Sequence, residues 1–143
     1  MIPINIYAVF VSAIFAFGLG WLWYGPLFGK TWAGLMGWTP EHMAEMMATG
    51  KNKMITGYAV QFVGALIMAF VLAHAVLFAN VYLQMSGAMA GVTVGFMCWL
   101  GFVAPTTVGM VLWEGKPWKL WAIVAGYWLT FLVIAGIILS VWM

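Results

Sequence analysis

No Lys, Arg, Asp or Glu occurs within residues 4–24, 54–78, 87–112 or 120–143, and each of these stretches is apolar almost throughout. A helix rises ~1.5 Å per residue, so ~20 apolar residues cross a hydrocarbon core ~30 Å thick. No water reaches the backbone there, and an α-helix satisfies its amides within a single stretch. The expected fold is therefore an all-α integral membrane protein. It is a four-transmembrane-helix bundle making one membrane domain over residues 1–143, with spans at about 4–24, 54–78, 87–112 and 120–143.

Composition agrees. The chain is 66% hydrophobic and 6% charged, against ~45–50% and ~25% in soluble domains. Its five Lys and three Glu, with no Arg or Asp, form no basic stripe, which argues against a nucleic-acid partner. Cys98 is alone, so no intrachain disulfide can form. No Cys/His spacing fits zinc. No basic residue precedes Lys30, so the first stretch is expected as a retained span and not a cleaved signal peptide.

The lysines set an expected orientation. Loop 25–53 holds Lys30, Lys51 and Lys53, and loop 113–119 holds Lys116 and Lys119. Lysine-bearing loops stay cytoplasmic, which puts both termini outside the cytoplasm. Trp23 and Tyr24 before Lys30, and Trp118 before Lys119, read as interfacial motifs, because Trp and Tyr prefer the headgroup level. Gly25–Pro26 is expected to stop the first helix. Residues 39–50, TPEHMAEMMATG, carry helix-start signals in Thr39, Pro40 and Glu41. They suggest a short amphipathic interfacial helix between spans 1 and 2. The stretches WYGPLFGKTW and WEGKPWKLW raise an internal repeat, although interfacial composition alone favours Trp, Gly and Lys.

Small residues recur every fourth position in each span, as close helix packing in lipid requires. They are Ala8, Ser12, Ala16 and Gly20; Ala65, Ala69 and Ala73; Gly87, Gly91 and Gly95; and Ala122, Gly126 and Thr130. The doubled GxxxG of the third span suits internal packing or a homo-oligomer. Pro105 should kink that span, with Thr106 and Thr107 offering hydroxyls to nearby carbonyls.

Few residues could carry chemistry. His74 reads as a hydrogen-bonded histidine near the outer interface, or else as a proton relay. Gln61, Thr93, Tyr127 and Thr130 read as interhelical hydrogen-bonding groups first and binding groups second. His42 with Met43, Met46 and Met47 has the chemistry of a soft-metal site, but these methionines are better explained as apolar filler. No catalytic, metal-ligating or cofactor-binding residue is assigned, and no cofactor is expected.

The stretches MIPIN, GWLWYGPLFGKTW, TPEHMA and GKPWKLWAIVAGYWL resemble the bacterial membrane family called domain of unknown function 1761. The resemblance implies a small multi-span protein of the bacterial inner (plasma) membrane and supplies no activity. The expected role is non-enzymatic: an oligomeric or accessory subunit, either a homo-oligomer or part of a larger membrane complex. The alternative is a small transporter or channel for an uncharged or weakly polar solute, using Pro105, Tyr127, Thr130 and His74. A membrane enzyme would instead turn Glu114, Lys116 or His42 into a cavity at the cytoplasmic interface.

Overall fold

The computed structural model describes residues 4–48 and 50–143. Residues 1–3 of the MIPIN stretch, and Thr49 of the surface-helix stretch, lie outside the described residues. Helix α1 (Ile6–Leu22) runs into a π turn, Trp23–Leu27, and then α2 (Gly29–Leu35) and α3 (Pro40–Ala48) follow. Next come α4 (Lys51–Tyr82), α5 (Gly87–Cys98) and a second π turn, Trp99–Val103. The short α6 (Ala104–Thr107) and α7 (Gly109–Leu112) complete that stretch, and α8 (Trp118–Val141) closes the chain.

Four helical stretches are long and apolar enough to cross a membrane: Ile6–Leu27, Lys51–Tyr82, Gly87–Leu112 and Trp118–Val141. The second differs most from the expected 54–78. Its 32 residues span ~48 Å, more than a bilayer core needs, because no proline interrupts it and Lys51, Asn52 and Lys53 continue the helix outward. The expected loop 25–53 is itself largely helical. Thr39 caps α3 by accepting from the His42 N–H at 3.1 Å, and every described residue from Glu41 to Ala48 is exposed.

Gly25–Pro26 does not end the first helix. Pro26 lies inside the π turn, which closes when the Phe28 N–H reaches back five residues to the Trp23 carbonyl at 2.9 Å. A π turn accommodates a residue without an N–H where a regular turn would lose a bond. The second π turn closes the same way, Ala104 N–H to Trp99 carbonyl, just before Pro105. Thr106 and Thr107 donate to the Phe102 and Val103 carbonyls. Each π turn opens on Trp-x-Gly, and each Trp donates its indole N–H to a carbonyl of α8. Trp23 bonds Ile123 at 2.9 Å and Trp99 bonds Ala125 at 2.8 Å. Residues 23–27 and 99–103 are thus alike in turn type and in their bond to α8. Trp113 is 87% exposed.

Helix α8 is the hub, touching α1, α4 and α5. It meets α5 antiparallel, one turn at a time. Ser140 donates to the Gly87 carbonyl at 2.7 Å, Gly91 lies backbone to backbone against Gly136, and Gly95 lies against the Leu132 carbonyl. On its other faces α8 sends Phe131, fully buried, and Tyr127 among the buried small residues Ala16, Ala65 and Ala69. Of the expected small stripe of α8, Gly126 packs closely, a Cβ there standing 3.2 Å from the Trp23 ring, whereas Ala122 is exposed and Thr130 is half-buried. A helix with three neighbours fills the grooves that their small residues leave, so its buried face is large where theirs are small. Phe10 and Phe17 pack edge-to-face on Phe62, joining α1 to α4 with ring centroids 5.6 Å apart in both pairs. Asn5 caps α1 and also donates to the Trp142 carbonyl at 2.8 Å, tying the start of α1 to the end of α8.

Candidate functional site: an aromatic cleft

A cleft of about 1030 Å³ lies between α1, α4 and α8 at the end of the bundle that carries the lysines. Ala16, Phe17 and Gly20 of α1 form one wall, and Tyr58, Gln61 and Ala65 of α4 face them across the cleft. Tyr127 and Trp128 of α8 close the back, while Trp21 and Trp32 edge it. Small residues make the space: a Cβ at Gly20 would stand 3.6 Å from the Tyr127 hydroxyl. Bulky aromatic rings make the walls. Trp32, Tyr24, Tyr127 and Trp128 follow one another with centroids 5.0, 5.4 and 4.9 Å apart.

The first π turn shapes this site. It turns Tyr24 into the cleft while Trp23, one residue earlier, faces a second cavity of about 440 Å³ lined by Phe28, Thr31, Lys119 and Ile123. The Tyr127 hydroxyl is committed to the fold, donating to the Ala16 carbonyl at 2.9 Å. Tyr24, Tyr58 and Gln61 have no hydrogen-bond partner for their side chains among the described residues. Among the described residues, no charged side chain lines the larger cleft.

Of the residues singled out from the sequence, Gln61, Tyr24 and Tyr127 converge here, and Trp23 and Lys119 meet at the smaller cavity. Gln61 is exposed and joins no helices, contrary to the interhelical role expected of it. Thr130 bonds its own helix through the Gly126 carbonyl at 2.8 Å, and Thr93 makes no interhelical bond. His74 also bonds locally. Its Nδ1 is 2.8 Å from the Phe70 carbonyl, so that nitrogen donates. His74, Pro105, Lys30 and Trp118 line neither cavity. Gly87, Gly91 and Gly95 belong to the α5–α8 contact. Sequence reasoning missed Tyr58 and Trp128 as cleft residues. Tyr58 stands one turn before Gln61 and Trp128 follows Tyr127, so both neighbours were visible although their convergence was not. His42 packs its ring 6.0 Å from that of Trp38, and neither His42, Glu114 nor Lys116 lines the cleft. No group of three or more His, Cys, Asp or Glu side chains able to hold a metal occurs among the described residues.

No curated protein and no solved structure matches the chain. A family model described as "Protein of unknown function (DUF1761)" matches residues 7–140. That match takes in all four long apolar helices except the terminal Ile6 and Val141, together with every residue of the cleft, and the chain belongs to the DUF1761 family.

Proposed function

We propose that the protein is a non-enzymatic, multi-pass component of the bacterial inner membrane that binds one uncharged lipophilic molecule in the aromatic cleft. The cleft itself carries this reading: about 1030 Å³ of space walled by rings and lacking any charged group. Ligand pockets are mostly apolar with a few placed polar groups, and this cleft has that make-up. Bond-making chemistry has little support here, because no acid–base pair faces the space. The lysines place the cleft at the cytoplasmic side in this reading, with α3 lying on the membrane surface.

A role as an oligomeric or accessory subunit is compatible with binding. The Gly91 and Gly95 stripe is already covered by α8, so a protein partner would use the outer face of α5, where Met89 and Met97 are 70% and 59% exposed. Gentle extraction of the full chain followed by native mass spectrometry tests both parts. The expected particle retains one small lipophilic molecule per chain. Gly25→Phe, at a cleft-lining position with open space around it, should lose that molecule while keeping its helical circular dichroism. A particle that retains nothing, or a variant that retains the molecule equally, overturns the binding reading. A mass of one free chain removes the oligomer.

A further inference from the structure

The cleft has a chemical signature sharper than apolarity. Among the described residues, the polar groups on its walls without partners include the Tyr24 hydroxyl from the first π turn, the Tyr58 hydroxyl and Gln61 carboxamide from α4, and the indole N–H groups of Trp21, Trp32 and Trp128. Gln61 is ten residues into α4, ~15 Å along the helix from Lys51, within the apolar stretch 54–78. An amide there is costly until something bonds it. No buried side-chain polar atom lacks a partner among the described residues.

Charge selects against two ligand classes. A cation would be drawn to the ring faces, but Glu41, Glu45 and Glu114 all stand outside the cleft. A cation taken out of water without a counter-charge is strongly disfavoured. An anion would find no lysine on these walls. What remains is a neutral molecule. The succession Trp32, Tyr24, Tyr127 and Trp128, with neighbouring ring planes tilted by 60°, 49° and 74°, offers π surface for offset or edge contact with a flat ring. Donors on two different helices suit a ring that carries oxygen acceptors on more than one edge. The mouth, edged by Trp21 and Tyr58 at 73% and 59% exposure, leaves an apolar tail free to run into lipid.

From these observations we infer that the occupant is a quinone-type lipid: a neutral planar ring with carbonyl oxygens and an apolar tail. The carbonyls accept from Gln61, Tyr24 and Tyr58, and the ring lies among Trp32, Tyr24 and Tyr127. This assignment rests on the binding reading above and narrows it to one ligand class. It involves binding alone, with no electron or proton transferred.

Calorimetric titration of the full chain in mild detergent tests it with two probes of equal tail length. Decylubiquinone carries the carbonyls and decylbenzene does not. Decylubiquinone should bind at one saturable site about tenfold more tightly than decylbenzene. Gln61→Leu should weaken the quinone several-fold and leave decylbenzene unchanged, and Tyr24→Phe should act in the same direction. Gln61 is exposed, so its substitution leaves the packing intact, and an unchanged thermal midpoint verifies this. Equal binding of both probes, or a Gln61→Leu protein that binds the quinone as before, overturns the quinone assignment in favour of a groove for acyl chains. Tighter binding of tetraphenylphosphonium than of the quinone overturns it in favour of a cation. If neither probe binds while the extracted protein still retains another lipophilic molecule, the quinone assignment fails and the binding reading stands.

Discussion

At Gly91 the backbones of α5 and α8 touch. A Cβ built there would fall on the Gly136 carbonyl, and one at Gly136 would fall on the Gly91 carbonyl. Neither obstacle is a side chain that can swing away. Gly91→Ala should therefore cost about 1–3 kcal/mol, the usual penalty of overpacking. Gly64→Ala is the natural control, since a Cβ at Gly64 meets nothing within 4 Å, and removing a helical glycine should stabilise by about 0.5–1 kcal/mol. Unfolding in a denaturing detergent titration measures both, and a Gly91→Ala protein as stable as the Gly64→Ala protein would show the helices to be farther apart than described. The GxxxG of α5 was legible in the sequence because its spacing is a property of one helix. Its partner was not. Gly136 and Ser140 also stand four apart, but Ala122, Gly126 and Thr130 offered a competing small stripe on the same helix. Only the relative rotation of α5 and α8 decides which stripe is used, and a single sequence does not encode that rotation locally.

The two π turns act as latches between elements. Each follows a long regular helix, each lies beside or around a proline, and each presents an indole N–H to a carbonyl of α8. Such a carbonyl already accepts within its helix and uses its second lone pair for the indole. Bonds of this kind between membrane helices contribute ~0.6 kcal/mol on average and up to ~1.7 kcal/mol. Trp23→Phe and Trp99→Phe should each lower stability by about that much, while Trp113→Phe, at an 87% exposed position, should change nothing measurable. Thermal unfolding in detergent distinguishes the three, and a uniform effect would mean that the indoles act through bulk instead of through their N–H groups. The sequence made Trp23 visible as an interfacial residue, while Trp99 lay unremarked inside the third span. It hid their use as latches because a backbone carbonyl carries no side-chain signature. The cleft was hidden for a related reason. Gln61 and Tyr127 stood out as polar groups in apolar stretches, but their meeting with Tyr24 depends on the π turn. Gly25–Pro26 reads as a stop signal, because composition alone does not separate a helix that ends from one that widens by a residue.

Across the whole molecule, the bonds at the two ends of α1 and α8 define an antiparallel bundle. Asn5 holds the Trp142 carbonyl at one end, and Trp23 holds the Ile123 carbonyl near the other. Ser140 on Gly87 repeats the antiparallel arrangement for α5 and α8. All five lysines then fall at one end, beside the π turn of α1 and the starts of α4 and α8. The opposite end, including the turn at Gln84 where the backbone adopts a φ of 55°, carries none. An asymmetry of five cations against zero is a strong orienting signal, since lysines in short loops resist translocation. In spheroplasts, with Cys98→Ser as background, an impermeant maleimide should label Gln84→Cys directly. It should label Lys53→Cys only after the membrane is opened. The reversed pattern would put the aromatic cleft on the outer side and turn its mouth toward the other leaflet. Labelling of both positions from the same side would break the bundle topology itself, because α4 lies between them and must then fail to cross. A reporter fused after Met143 should agree with Gln84→Cys. The end of α8 and the start of α5 are held together by the Ser140 hydroxyl, so the two positions share one face of the membrane or the α5–α8 packing is wrong.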